Sequence, residues 1–443
     1  MVLLPTRRAA IVALVVAGAL LLFPGDDVPV LATVAVLAVL LFLVVIADAL
    51  IGTSPGQVVV GREHPPVVVT EREATVRWEI HSESRRTLHL SVADDLAPSL
   101  RARARRFAVV VPPGGTAKVS TTIRPMRRGR FELDRLTVRV VGRLGLGARQ
   151  RAVPLSTTLR VHPPFRSRDE AELKIRQARI LEVGIRSARG LGGGTEFEQL
   201  REYGPDDEFR RIDWTATARA GRTIVRTYRS ERNQNVLLLL DNGRTMAGRV
   251  DGVPRVEHAM DAAMMLTTVA TRLGDRCGLV AFDRSVRSVV APARHSDQVA
   301  RVTEAMFALE PELSESDYSS VFAEVVARFR RRSMLVLLTD LVDSAVEASL
   351  LPALTLISRT HLVVVASVRD PQVEAWAAGE QLDDIDPDEA AYRQVAAVEA
   401  IALRRRTVAR LRGRGVTVVD AAPGRLSSEL ADAYLLVKRN GRL

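Results

Sequence analysis

The chain has 443 residues, a formal net charge of +11 and one cysteine, and 47% of its residues are hydrophobic but only 4% aromatic. This length allows two or three domains, whose cores must be built mainly from Val, Leu, Ile and Ala. The single cysteine, Cys277, excludes an intramolecular disulfide and favours a reducing compartment, and seven scattered His without an HExxH motif argue against a zinc site.

Arginine supplies almost all of the positive charge, because lysine occurs only at positions 118, 174 and 438. One explanation is the base composition of the genome. The other is a surface that binds phosphates or a membrane, for which the planar guanidinium group is well suited. The composition by itself leaves both explanations open.

Two apolar runs open the chain. Ala9 to Phe23 is uncharged, the sequence Pro24 to Asp27 interrupts it, and Val28 to Ile46 is uncharged again. At 1.5 Å per residue the second run comes close to spanning a hydrocarbon core of about 30 Å. The first run is marginal in length, and snorkelling arginines before it would extend its reach.

The charges beside these runs predict their orientation. Arg7 and Arg8 precede the first run and favour a cytoplasmic N-terminus. Residues 1–52 are therefore predicted to form a transmembrane α-helical hairpin in the cell (inner) membrane, with two transmembrane helices and every later domain in the cytoplasm. A cleaved signal peptide followed by one anchor is the alternative.

Residues 53–165 change to short runs of alternating apolar and polar residues, separated by turn residues such as those from Pro112 to Gly115. This pattern predicts an antiparallel β-sandwich domain. No grouping of catalytic residue types is visible in it. We therefore expect a spacer or an interaction module.

Residues 166–232, the charged segment, carry many charges of both signs. Arginine–carboxylate pairs at this density predict a loop that is fixed against its neighbours. A structural network, a partner- or ligand-binding face, and paired carboxylates for acid–base hydrolysis are the three interpretations, and no nucleophile or histidine supports the third. The residues concerned are Glu196, Arg201, Glu202, Tyr203, Asp206, Asp207, Arg210, Arg211, Asp213, Trp214 and Arg219.

Residues 233–443 alternate between apolar runs and helical spacing, which predicts a largely parallel, doubly wound α/β domain. The run Asn235 to Leu240 ends in Asp241, and the run Met334 to Thr339 ends in Asp340. Ser316 lies in a loop before a predicted helix. Open α/β sheets bind ligands beyond the carboxyl ends of their strands, so we expect these side chains to form a site.

A family resemblance rests on the stretch GTEFEQLREYGPDDEFRRIDWTATAR, followed by IVRTYRSERNQNVLLLLDNGRTM. It resembles the signature of the bacterial membrane family named domain of unknown function fifty-eight, and the stretch AYLLVKRNGRL is similar to the C-terminus of that family. The resemblance implies a C-terminal domain similar to the von Willebrand factor type A fold. Because members are commonly encoded near MoxR-type AAA ATPases, it also implies such an ATPase as a partner.

The type A resemblance further implies a metal-ion-dependent adhesion site. In that fold an Asp-x-Ser-x-Ser motif, a Thr and a later Asp hold a divalent cation. Asp241 matches the first Asp and Thr245 the last hydroxyl, Ser316 stands for the Thr, Asp340 for the final Asp, and Gly243 replaces the middle hydroxyl. Such oxygen ligands suit Mg²⁺. In the alternative, the two carboxylates cap helices or pair with arginine.

The function predicted from these features is not enzymatic. The first hypothesis is a membrane-anchored protein-binding or scaffold component, using Mg²⁺ at an adhesion-type site and working with a MoxR-type ATPase in assembly or envelope processes. A metal-dependent hydrolase using Asp241 and Asp340 is the alternative, although no base or nucleophile accompanies them. Dispersed charge and scarce aromatics disfavour nucleic-acid binding. The sequence indicates neither the partner's identity nor the oligomeric state.

Overall fold

The computed structural model describes residues 2–22, 30–188, 196–204, 207, 209–229, 234–380 and 386–440. The chain divides into two units, residues 1–162 and residues 163–443. The predicted break between the two apolar runs, Pro24 to Asp27, lies outside the described residues.

Within the described residues, the first unit contains two α-helices and nine strands. In chain order they are β1 (Val2–Pro5), α1 (Arg7–Leu22), α2 (Val30–Ile51), β2 (Val58–Glu63), β3 (Val67–Val69), β4 (Ala74–Ser82), β5 (Leu88–Asp94), β6 (Arg106–Val111), β7 (Thr116–Ile123), β8 (Gly129–Val141) and β9 (Gly147–His162).

α2 is the apolar helix of this unit. It has 22 residues, which span about 33 Å at 1.5 Å per residue. The segment Ala32–Gln57 is the one candidate membrane span in the described part of the chain. α1 has 16 residues and reaches only about 24 Å, less than a hydrocarbon core. The structure therefore supplies one candidate N-terminal membrane helix.

The strands form a β-sandwich, which confirms the predicted architecture. One sheet has the order β1-β9-β8-β5-β6 with β3 beside β9, and the other has the order β2-β4-β7. Neighbouring strands are antiparallel except for β3 and β9. Buried and exposed residues alternate along β4, because successive side chains of a strand point to opposite faces. Trp78 and Ile80 are fully buried in the core between the sheets.

The second unit contains the remaining elements. They are α3 (Arg168–Ala188), β10 (Glu196–Glu202), α4 (Trp214–Ala220), β11 (Ile224–Arg229), β12 (Asn235–Asp241), β13 (Arg249–Val250), β14 (Val253–Pro254), α5 (Arg255–Arg272), β15 (Arg276–Phe282), β16 (Val286–Ala293), α6 (Gln298–Met306), α7 (Tyr318–Arg328), β17 (Met334–Leu338), α8 (Asp343–Ala345), α9 (Leu351–Ile357), β18 (Leu362–Val368), α10 (Pro371–Ala377), α11 (Pro387–Gly413), β19 (Thr417–Ala421) and α12 (Leu426–Arg439).

The main sheet of this unit is mixed, with the order β16-β15-β12-β17-β18-β19. β12 runs parallel to β15 and β17, and β18 and β19 continue the parallel array. Only a short turn joins β15 to β16, so β16 runs antiparallel at the edge. The alternating strands and helices of this unit thus form an α/β domain with a mixed sheet.

Each face of this sheet packs on its own hydrophobic core. Leu238 and Leu240 point to the face covered by α5 and α12, here called the α5 face. Leu237 and Leu239 point to the face covered by α7 and α9, the α7 face. Burial on both faces explains why β12 is a continuous apolar run rather than an alternating one.

The charged segment contributes a separate two-stranded sheet. β10 and β11 pair in antiparallel fashion, with Glu202 opposite Ile224. We predict from the sequence that Ile224, Val225 and Tyr228 belong to the start of an edge strand leading to the buried strand. The structure places them in β11, which pairs with β10 and does not join the main sheet.

Candidate functional site

The candidate site lies at the carboxyl edge of the main sheet, between β12 and β17. Counting from β12 as strand 1, the sheet order is 3-2-1-4-5-6. This order reverses between strands 1 and 4, the point at which doubly wound sheets bind ligands. Asp241 is the last residue of β12, and Asp340 follows the end of β17 by two positions. Both side chains are buried, with exposures of 0% and 5%.

The Asp241 carboxylate accepts four hydrogen bonds. Oδ1 accepts from the backbone N–H of Gly243 at 2.8 Å and from Ser316 Oγ at 2.5 Å. Oδ2 accepts from Tyr318 Oη at 2.7 Å and from Thr339 Oγ1 at 2.6 Å. These donors replace the water that burial removes. Asp241 thereby ties the ends of β12 and β17 to the loop before α7.

Tyr318 is a donor that sequence analysis did not assign. Burial, together with the negative charge of Asp241, raises the pKa of its hydroxyl well above the ordinary value. The group therefore stays protonated at neutral pH and donates to the carboxylate. Its ring lies 5.8 Å from Phe282 and 5.9 Å from Phe322, centroid to centroid. The hydroxyl is held in place by packing on two sides.

The two carboxylates are held by different partners. Leu240 pairs with Leu338, so Asp241 lies opposite Thr339, and its hydrogen bond from Tyr318 at the start of α7 places it toward the α7 face. Asp340 lies beyond the end of β17 and contacts Arg255 at the start of α5 as well as Arg404 on α11. The carboxylates share one edge of the sheet but are bound by separate sets of donors.

Asp340 is surrounded by donors of its own. Oδ1 accepts from Leu341 N at 2.9 Å, from Ser367 Oγ at 3.2 Å and from Arg404 Nη1 at 3.0 Å. Oδ2 lies 3.3 Å from Arg255 Nε, an ion-pair distance without hydrogen-bond geometry. Two guanidinium groups thus offset the charge of this carboxylate.

Arg404, on α11, connects three strand ends. Besides Asp340 after β17, it donates to Ser367 Oγ and to the carbonyl of Val368 on β18, and to Asp420 on β19 at 2.8 Å. Burial opposes the charge of Arg404, but its hydrogen bonds to Asp420 and the charges of Asp340 and Asp420 outweigh this and raise its pKa. Arg404 is therefore a fixed structural cation at the carboxyl edge.

Gly243 has no space for a side chain. A Cβ at this position would lie 2.2 Å from Ser316 Oγ and 3.1 Å from the carbonyl oxygen of Ser314. The hydroxyl of Ser316 thus occupies the place of the hydroxyl missing at position 243. Thr245 lies in the short 3₁₀ turn that follows, and Arg244 pairs with the exposed Glu315 at 3.1 Å.

The predicted Mg²⁺ ligands can be compared with this geometry. Asp241 and Ser316 are in direct contact, and the Asp340 carboxylate is paired with Arg404 and Arg255. A cation between the two carboxylates would have to displace these arginines. Asp340 thus matches the arginine-paired alternative, whereas Asp241 is held by hydroxyl groups and a backbone N–H, and the four-ligand Mg²⁺ site stays a prediction.

The charged segment brings several of its predicted residues together. Arg201 donates to Asp207, whose other carboxylate oxygen accepts from Gly204 N at 2.7 Å. Asp213 caps the start of α4 by accepting from the backbone of Thr215 and Ala216, at 3.0 Å each. These contacts fix the turn between β10 and α4.

Asp213 also accepts from Arg226 Nε on β11 at 2.7 Å, and this hydrogen bond, followed by those from the helix backbone, lowers the pKa of Asp213. Glu202 lies 3.5 Å from Arg222 in an exposed pair. The other predicted members are Tyr203, Arg210 and Arg219, which are exposed, and Asp206 and the side chains of Glu196 and Arg211, which lie outside the described residues.

Two aromatic rings project from the charged segment. Phe209 and Trp214 are 68% and 61% exposed, and their rings meet edge to face with centroids 5.7 Å apart. Leu200 on β10 is also exposed. Adjacent exposed apolar side chains of this kind are typical of a protein-interaction surface.

An acidic cavity of about 590 Å³ opens at the same carboxyl edge, beside the start of α5. Asp169, Glu170 and Asp251 contribute carboxylates to its wall. Burial lowers the pKa of His258 in the same wall, which keeps this imidazole neutral at pH 7. The local potential is therefore negative although the whole chain is basic.

Several residues of this edge carried no signal in the sequence. Thr339 and Tyr318 reach Asp241 from separate elements, and Arg404 lies on a helix far along the chain from Asp340. Arg404 belongs to a run of three arginines, in which nothing distinguishes the partly buried one from the two exposed ones.

Comparison with known proteins gives a family and distant relatives. Residues 199–414 match the family described as "Protein of unknown function DUF58". The uncharacterized proteins Mb1516 of Mycobacterium bovis and Rv1480 of Mycobacterium tuberculosis are each 26% identical over 228 residues, which cover 48% of this chain and 71% of theirs.

Similar solved structures cover a smaller part of the chain. The CARDB domain of PF1109 from Pyrococcus furiosus is 11% identical with a TM-score of 0.17, covering 24% of this chain and 94% of that domain. WR4, an MSP family member of C. elegans, is 16% identical with a TM-score of 0.17, covering 24% of this chain and 97% of WR4.

Proposed function

We propose that this chain, which belongs to the DUF58 family over residues 199–414, is a membrane-anchored protein-binding component. The observation that carries the proposal is the exposed Phe209–Trp214 pair of the charged segment. Aromatic side chains of this kind supply most of the binding energy in many protein interfaces. Without a partner to cover them, two adjacent exposed rings on a water-facing surface would be unfavourable.

The framework around the pair supports this role. The Arg201–Asp207 and Asp213–Arg226 pairs fix the turn and the helix that display the two rings. A binding surface held in its bound geometry loses less conformational entropy on association. The charged residues thus orient the aromatic pair rather than perform chemistry.

The carboxyl edge of the sheet supports binding over catalysis. Asp241 accepts from four donors and Asp340 is paired with two arginines. A hydrolase would need one of these carboxylates free to act as a base or to hold an activated water. No observation favours that alternative, and we assign no catalytic residue.

We further propose that the α/β domain is similar to the von Willebrand factor type A fold and that the helices anchor the chain in the cell membrane as a two-helix hairpin. β1, before the helices, pairs with the start of β9. Asp48, near the end of α2, accepts a hydrogen bond from the turn between β8 and β9, which supports a return of the chain to the same side. Protease added outside sealed, right-side-out vesicles should leave the C-terminal unit intact, and its digestion would refute cytoplasmic placement.

The partner we propose is a MoxR-type AAA ATPase, as the family resemblance implies, held at the aromatic pair of the charged segment. The purified full-length protein should retain such an ATPase from the same organism. Trp214→Ala should weaken retention at least tenfold, which corresponds to about 1.4 kcal/mol, because it removes the anchor ring.

Trp376→Ala is the matched control for this test, since Trp376 is a partly exposed tryptophan on α10 in the same unit. It should retain the ATPase like the parent. Equal loss in both variants, or no retention by the parent, would reject the proposal. Retention that vanishes with a chelator and in Asp241→Ala would instead support an adhesion-type Mg²⁺ site.

A further inference from the structure

The turn between β8 and β9 is locked to the end of the apolar helix α2. Asp48, on the last turns of α2, is 4% exposed. Its carboxylate accepts from the backbone N–H groups of Leu144 at 2.7 Å and of Leu146 and Gly147 at 2.9 Å. Three charge-assisted hydrogen bonds from backbone N–H groups to one carboxylate hold the turn firmly against the helix.

Close packing makes this junction rigid. A Cβ at Gly147 would lie 2.2 Å from the carbonyl oxygen of Val45, and a Cβ at Gly142 would lie 2.5 Å from Asp48 Oδ2. The backbone of the hairpin therefore touches the backbone of the helix. Neither element can shift along the other without breaking these contacts.

The segment before α1 meets the same turn. Val2 to Pro5 pair with the start of β9, Thr6 N donates to the carbonyl of Leu146 at 2.9 Å, and the Thr6 hydroxyl donates to the carbonyl of Gly145. Both ends of the helical segment are thus fixed at one hairpin tip. The tip contacts α2 between Val45 and Ala49, and Asp48 lies only about 3 Å along the helix axis from Ile46, the end of the apolar run.

The surface around the tip is basic with an apolar point. Leu144, at the tip, is 62% exposed, and its neighbour Arg143 is exposed, as are Arg7 and Arg8 at the start of α1. The guanidinium group of Arg8 lies over Gly145, 2.9 Å from where a Cβ would be. The Asp48 carboxylate, buried in backbone hydrogen bonds, leaves this positive charge exposed to solvent.

We propose that this tip, consisting of Leu144 with Arg7, Arg8 and Arg143, docks on the anionic headgroup layer of the bilayer that α2 enters. Arginines attract anionic lipid headgroups at the cytoplasmic leaflet, and an apolar side chain between them enters the interface. The rigid junction at Asp48 would then fix the height and tilt of the β-sandwich above the membrane. This inference rests on the proposed membrane insertion of α2.

The test uses nitroxide labels on single introduced cysteines in the full-length protein, reconstituted in vesicles of phosphatidylcholine with or without a quarter of phosphatidylglycerol. The native Cys277 is fully buried, and burial raises its pKa to about 12, so it does not react under native conditions. The labels are placed at Leu144→Cys, Leu40→Cys and Met126→Cys. At each position the relaxation of the nitroxide by oxygen, which concentrates in the bilayer, is compared with its relaxation by an aqueous nickel complex.

Leu40 is exposed in the middle of α2, and Met126 is exposed just before β8, at the end of that strand opposite the tip. We expect oxygen to dominate relaxation at positions 40 and 144, and nickel to dominate at 126. In vesicles that contain phosphatidylglycerol, the triple variant Arg7→Gln, Arg8→Gln, Arg143→Gln should increase relaxation of the label at 144 by nickel several-fold, toward the value at 126.

Each other outcome overturns the inference in a distinguishable way. Nickel access at 144 with oxygen access at 40 means that α2 inserts but the tip stays in water. Protection of 144 from both reagents means a protein contact. Nickel access at 40 refutes membrane insertion and, with it, this inference.

Discussion

Gly243 and Ser316 share one place in the site, since a Cβ on the glycine would lie 2.2 Å from the serine hydroxyl oxygen. Gly243→Ser would complete the sequence pattern of a type A metal site. In this structure it should instead displace Ser316 from Asp241 and lower the free energy of unfolding by about 1–3 kcal/mol. Pulse proteolysis of the full-length protein in urea measures this change.

A double-mutant cycle isolates the clash. Adding Ser316→Ala to Gly243→Ser removes the crowding atom, so the double variant should be more stable than the sum of the single effects predicts. A Gly243→Ser protein that is as stable as the parent and releases heat on titration with Mg²⁺ would show that the predicted metal site exists.

Arg404 balances two buried or nearly buried carboxylates, Asp340 and Asp420. Arg404→Ala leaves both without their shared cation and should cost about 3–5 kcal/mol of unfolding free energy. Arg404→Lys should restore little of this unfolding free energy, because a single ammonium group cannot bind the ends of three strands at once. The same proteolysis assay applies.

The neighbouring Arg405 is exposed, and Arg405→Ala should change stability by less than about 0.5 kcal/mol. Equal effects of the substitutions at 404 and 405 would contradict the assignment of Arg404 as the connecting cation.

Elements with a strong apolar period were predictable from the sequence. β12 and β17 agree with the apolar runs predicted for them within a residue or two, because burial on both faces sets their pattern. α4 and α10 were not predicted. Each has seven residues and no buried side chain, so they depend on the caps Asp213 and Asp370 rather than on a hydrophobic stripe.

The candidate site was predictable only in part. Asp241 and Ser316 come together because loops at the carboxyl ends of parallel strands converge. Asp340 is instead bound by Arg404 and Arg255, which lie on helices far from it along the chain. Composition and spacing specify the edge of a sheet but not the pairing of its arginines.

At the level of the hairpin β15–β16, Gly278 allows a close approach of two backbones. The register shifts there, and a Cβ would lie 2.7 Å from Val290 O and from Pro292 N. Gly278→Ala should separate these strands and lower the free energy of unfolding by about 1–3 kcal/mol.

The same substitution on another element serves as its control. A methyl group on Gly413, in the last turn of α11, would meet no atom within 4 Å, so Gly413→Ala should be neutral or stabilise by up to about 1 kcal/mol. A Gly278→Ala variant as stable as the Gly413→Ala variant would refute the close approach.

For the whole molecule, the first unit joins an apolar helix to a β-sandwich and the second joins the charged segment to an α/β sheet. Exposed aromatics at Phe209 and Trp214 belong to the second unit. Only 4% of the residues of this chain are aromatic. Two exposed aromatic rings in contact with each other are therefore the central evidence for a binding partner.

Site-specific photo-crosslinking in intact cells tests this claim most directly. A benzophenone side chain replaces Trp214 in one variant and Trp376 in another, and the products are identified after irradiation. We predict a defined heterologous protein crosslinked from position 214 and not from position 376. No product at 214, or the same products from both positions, would contradict the binding role of the aromatic pair.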